Sequence, residues 1–225
     1  MCSAEREETA NNAPWLTISQ SAYWKSTIEP KIMKFTELLR DAAARELCQN
    51  GTTPVFGQGS LSPSIVVIGE QPGDEEERQG LPFVGPAGQL LRHLLREVGI
   101  NENHVYFTNT VKHFHHVREG KARLHKKPSA QHVAACTPWL KNEMQILEPR
   151  VAICLGVTAM QCVLGRTNKL GECRQRIFST WASLQTVVSW HPAALLRAEP
   201  VVSACYRSEL LTDLHYAHCL SKQEN

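Results

Sequence analysis

Several residues able to do chemistry stand immediately after apolar runs of this chain. Glu70, Gln71 and Asp74 lie in GEQPGD, Asn109 in TNTV and His191 in WHPAALLR. A carboxylate can position or activate an attacking group, and a side-chain amide can donate and accept toward a planar polar ligand. An imidazole can stabilise charge on a departing group. His125 is set differently: in KARLHKK it is enclosed by Lys121, Arg123, Lys126 and Lys127. Cations crowded around an imidazole disfavour its protonated form, so the run reads as one that keeps a nucleophilic ring neutral. Each feature alone also has an ordinary reading: a solvated basic loop, a βα turn with solvated acids, a half-buried histidine.

The surrounding pattern decides which reading has weight. SIVVIGE, HVYFTNTV, RVAICLG and TVVSWH are short apolar runs of the kind that form strands buried on both faces. Helical periodicity separates them: Leu90, Leu91, Leu94, Leu95 and Val98 share one stripe, and Val133, Cys136, Leu140, Met144 and Leu147 another. Pro138 should kink or shorten the second of these helices. Further helices are predicted over 30–47, in VTAMQCVLG and over 204–220. Alternation of strand and helix predicts parallel pairing and a three-layer α/β/α domain with a four-stranded parallel sheet, over 26–221. Ligands of open parallel sheets bind beyond the carboxyl ends of the strands. Glu70, Gln71, Asp74, Asn109 and His191 should therefore converge at one sheet edge. Phe83, just before the helix start GPAG, can stack on a base there.

Other classes recede. Neither GxGxxG nor GxxxxGK[ST] occurs, which argues against a dinucleotide or P-loop site. A net charge of +2 is too small to announce nucleic-acid binding, so a basic footprint must be local, as it is over 118–127. No apolar run approaches a membrane span. Residues 1–25 read as a flexible leader without a secretory h-region. The eight scattered cysteines then read as reduced thiols of an intracellular protein. Cys173 has no assignable role.

The ordered set GEQPGDEEERQGLPFVGPAG, TNTVKHF, KARLHKKPS, ACTPWL, EPRVAICLG and HPAALLR resembles the uracil-DNA glycosylase superfamily from about residue 55 to 214, nearest its UdgX branch, a relative of the iron–sulfur family-4 enzymes. The resemblance implies an enzyme on uracil-containing DNA, single- or double-stranded, acting as a monomer. It implies that Glu70 positions the attacking group, with Gln71 and Asp74 shaping the pocket. Phe83 would stack on the flipped uracil, Asn109 read its edge, and His191 stabilise charge on its oxygen. Gly85, Pro86, Ala194 and Arg197 would press the DNA backbone, and Lys121, Arg123 and Lys126 attract it. The UdgX branch carries a KRRIH loop whose histidine joins covalently to deoxyribose. KARLH matches it at Lys121, Arg123 and His125 and departs at Ala122 and Leu124. Competing readings are a hydrolytic glycosylase with turnover and a non-catalytic uracil-DNA binding module.

Relatives hold a four-iron–four-sulfur cluster. His113 and Cys136 match two of its ligand positions, but the early pair falls on Ala42 and Arg45, with Cys48 displaced nearby. Two ligands do not hold a cubane. The expectation is no cofactor, with recruitment of Cys48 as the lesser alternative and His113 and Cys136 as packing residues.

Overall fold

The structure, a computed structural model, describes residues 24–44, 53–165 and 169–223. Residues 1–23, on which most of the expected leader falls, lie outside these, as do Arg45, Cys48 and the side chain of Ala42.

Four strands form the centre: β2 (Ile65–Gly69), β3 (Val105–Asn109), β6 (Val151–Leu155) and β8 (Leu184–Ser189). They run parallel in the order β3-β2-β6-β8. Their residues are almost all buried, as a sheet covered on both faces requires. Two short antiparallel edge strands extend the expected four to six: β1 (Gln58–Gly59) on β3 and β7 (Phe178–Thr180) on β8. At two and three residues they carry no readable alternation.

Side chains alternate across the sheet. Ile65 and Val67 face α3 (Pro86–Glu97) and α8 (Pro200–Ser221), packing against Leu91, Leu94, Leu210 and Leu214. Val66 and Ile68 face α4 (Ala130–Leu147) and α5 (Gly156–Leu164), packing against Leu140, Met144 and Met160. Cys173, at the end of α6 (Leu170–Cys173), belongs to that second core. The helix α1 (Glu29–Ala44) lies on α4 through Leu38, Phe35 and Trp139. Pro138 does not shorten α4, which continues to Leu147. A mid-helix proline costs about 3 kcal/mol, and burial of Trp139, Leu140, Met144 and Leu147 just beyond it offsets that.

Three elements appear where loops were expected: α2 (Asp74–Gln79), α7 (Pro192–Arg197) and a hairpin of β4 (His116–Glu119) and β5 (Ala122–His125). The two-residue turn Gly120-Lys121 has Gly120 at φ 58°, the positive value that tight hairpin turns ask of their first residue.

Candidate active site

Register gathers the strand-end part of the site. Gly69 pairs with Asn109, and Leu155 with Ser189, so all four parallel strands end at one level. Just past those ends the chain carries Glu70, Thr158 and His191. The loops are cross-tied: Gly69 O accepts from Thr110 N at 2.9 Å, and Glu70 O from Val111 N at 2.9 Å. A cavity of about 410 Å³ opens there, a size that suits a small ligand. Its lining includes Glu70, Gln71, Phe83, Asn109, His125 and His191.

Phe83 and Asn109 hold their places because glycine faces them. A Cβ on Gly69 would lie 2.3 Å from Asn109 Oδ1 and 2.8 Å from Phe83 Cζ, and one on Gly88 2.2 Å from the Phe83 carbonyl. Phe83 itself takes φ 56°, a left-handed conformation rare for a bulky residue and a sign of local constraint. Its ring lies 6.5 Å from that of His191, nearly parallel to it. Asn109 is buried, and among the described residues no hydrogen bond engages its side-chain amide, which leaves donors and acceptor for a ligand.

His191 caps α7. Its Nδ1 accepts from Ala193 N at 3.2 Å, so the neutral ring carries its proton on Nε2. Burial pushes its pKa down to about 4; Glu70 opposes this, while Arg197 and His125 add to it. Near pH 7 it is therefore a neutral donor. The strand end behind it is braced by polar contacts: Ser189 Oγ donates to buried Asp213 at 2.6 Å, Arg174 Nε to Asp213 at 2.8 Å, and Trp190 Nε1 to the more exposed Glu209 at 2.5 Å.

Glu70 has two partners. Thr158 Oγ1 donates to Oε2, and His125 Nε2 lies 3.1 Å from Oε1. Burial works to raise the Glu70 pKa, but these bonds, with the charges of His125 and His191, outweigh it and hold the carboxyl below its ordinary value. Thr158 carried no sequence signal, since a threonine in the apolar VTAMQCVLG looks like helix filler.

The hairpin carries His125 to the cavity mouth, half exposed. Polar contacts of Gln71 and Arg123 fasten it. The Gln71 amide donates to His115 O at 3.0 Å and to Lys126 O at 3.3 Å, and accepts from His115 N at 3.3 Å. Arg123 bonds both Asp74 and Glu77 on α2. The structure thus puts Gln71 at the cavity wall with its amide engaged by the hairpin. Asp74 and Arg123 are held to each other, outside the cavity lining.

Of the other basic candidates, Arg197 lines the cavity, whereas Lys121 stands at the hairpin tip and Lys126 is exposed at the hairpin base. Lys127, grouped with the basic run but not singled out, lines the cavity with Ala194. Gly85 and Pro86 open α3; Gly85 N donates to Glu76 Oε1 at 3.3 Å, and Glu76 also lines the cavity.

Both candidate cluster ligands are buried. His113 sits 6.2 Å, ring to ring, from His132, and Cys136 is fully enclosed, its thiol pushed up by burial. Among the described residues no group of three or more His, Cys, Asp or Glu could hold a metal ion. His113 and Cys136 therefore do not make a cluster site with any described neighbour. Among the described residues no helix is long and apolar enough to cross a membrane.

Residues 56–215 match the Uracil DNA glycosylase superfamily. The chain is 33% identical over 190 residues to a Type-4 uracil-DNA glycosylase of Thermotoga maritima, covering 84% of this chain and 94% of that one. It is 29% identical over 186 residues to a Type-4 uracil-DNA glycosylase of Pyrobaculum aerophilum, covering 80% and 91%. A Type-5 uracil-DNA glycosylase of the same organism is 24% identical over 184 residues, covering 74% and 77%. The strand-end cavity, its carboxylate, amide and imidazole, and a match over most of the described domain lead to one conclusion: the chain belongs to the Uracil DNA glycosylase superfamily.

Proposed function

We propose that this protein excises uracil from DNA and is then joined covalently to the abasic deoxyribose through His125, as a UdgX-type glycosylase working as a monomer inside the cell. The target nucleotide must leave the base stack to enter the cavity. Phe83 then stacks on the base and the Asn109 amide reads its edge. As the bond between C1′ and N1 breaks, its electron pair goes to uracil, and neutral His191 donates from Nε2 to the oxygen that gains charge. The Glu70 carboxylate faces the electron-poor sugar. Once His125 leaves Glu70, its tautomer with the proton on Nδ1 attacks C1′ through the free lone pair of Nε2, and the alkylated ring then gives the Nδ1 proton to solvent. The products are a uracil anion, a neutral alkylated imidazole and a proton released to solvent, so charge and atoms balance.

The observation that carries the covalent half is His125 Nε2 lying 3.1 Å from Glu70 Oε1 at an open cavity mouth. A second reading has its own support in the Type-4 names of the relatives: Glu70 positions a water and the enzyme turns over. Denaturing electrophoresis after mixing with uracil-containing DNA separates them. Wild type should give a slow protein–DNA band, and His125→Ser should lose the band yet still release uracil, with water in the vacant place. An undiminished band in His125→Ser, or a sugar mapped by mass spectrometry to another residue, defeats the covalent reading.

A further inference from the structure

Glu70 must stay aimed while its neighbour changes. In the free protein Oε1 faces His125, but His125 has to leave that oxygen to reach a sugar, or a water has to replace it. A carboxylate on a loop after a strand can rotate once a partner departs. The geometry points to Thr158 as the positioning residue that prevents this, holding Oε2 so that Oε1 keeps facing the cavity mouth; the inference rests on the role of Glu70 proposed above.

The placement is built by the sheet. Thr158 lies in the first turn of α5, directly after β6, whose end is level with that of β2. It is 5% exposed, 88 residues from Glu70 in sequence, and its Oγ1 donates to Glu70 Oε2. Its branched Cβ restricts χ1, so packing fixes the direction of the hydroxyl. A donor to the ionised form favours that form, and this bond is among the influences that hold the Glu70 carboxyl low against burial. The titratable groups sharing the cavity with Glu70 are His125 and Lys127 at the hairpin base, Glu76 from α2, and His191 and Arg197 beyond β8. The hydroxyl of Thr158 does not titrate, so it holds the carboxylate at every pH at which the site works.

Thr158→Val keeps the shape and removes the donor; Thr158→Ser keeps the donor. Carboxyl carbon NMR of the free protein, with the Glu70 signal assigned through Glu70→Gln, follows the titration without substrate. In Thr158→Val the Glu70 carboxyl should titrate at higher pH than in wild type, and in Thr158→Ser near the wild-type position. Uracil release by Thr158→Val should fall about tenfold, the loss of one hydrogen bond to a charged group, and its acid limb should move upward. Thr158→Ser should restore both. An unmoved Glu70 titration in Thr158→Val, or a Thr158→Ser variant as impaired as Thr158→Val, overturns the inference. If Thr158→Val does not fold, Thr158→Ala carries the same comparison. A wild-type protein that releases no uracil overturns the proposed function instead, and the NMR arm still decides Thr158.

Discussion

The two halves of the site are held by different physics. Asn109 and His191 sit at the ends of buried strands, where parallel register and apolar packing decide their positions. Beneath Asn109, Lys112 Nζ bonds Glu143 Oε2 at 2.7 Å, Thr108 Oγ1 at 2.6 Å and Asn109 O at 2.9 Å, all fully enclosed. His125, by contrast, rides on an exposed hairpin fastened by the Gln71 amide and the Arg123 pairs. The groups proposed to read the base are thus built into the core, while the proposed nucleophile is latched on from outside. A protein organised this way can lose its latch and keep its fold and its pocket.

The largest expected effect lies on the core side. Glu143→Ala leaves the Lys112 ammonium buried without its carboxylate, which should cost about 3–5 kcal/mol in urea denaturation. A loss below about 1 kcal/mol would mean that the buried pair does not anchor the strand end and that the contrast with the hairpin is false.

A somewhat smaller effect should appear with pH. The pKa of His191 falls from 6.5 to about 4 on folding, so between those values the unfolded chain binds the extra proton more readily than the folded one. Stability from this ring is therefore fully present above about pH 6.5 and is lost as pH falls toward 4, by roughly 3 kcal/mol at most. Comparing wild type with His191→Asn across that window isolates the contribution. Parallel stability curves would show that the ring is not held neutral by burial.

The hairpin should give the smallest stability change and the most selective functional one. Arg123→Ala removes partly exposed ion pairs and should cost about 1 kcal/mol. It should nonetheless lower the covalent adduct formed per uracil released several-fold, because His125 is then less often in place. Equal losses of release and adduct would make the clamp part of the pocket itself and would remove the distinction between the two regions.

Much of the architecture was legible in the chain because it rests on local regularities. Continuous apolar runs such as IVVIG and VAICL mark strands buried on both faces, and alternation with helical stripes implies parallel order. Together they put Glu70, Asn109 and His191 at one edge of the sheet. The hairpin was not legible: each strand has four mostly exposed residues, too few and too polar for a pattern to distinguish it from a basic loop.

What the sequence by itself determined is which residue types stand at the ends of which strands, since hydrophobic periodicity and strand-end position are properties of neighbouring residues. Only the tertiary structure decided their partners. A basic run is equally suited to facing solvent or phosphate; the fold gives Arg123 to Glu77, 46 residues away. Thr158 meets Glu70 across 88 residues, and Lys112 meets Glu143 across 31. Such pairs leave no periodic trace because each depends on where two distant backbone segments end in space. Burial then sets the charge state of the groups brought together, as it does for the neutral imidazole of His191.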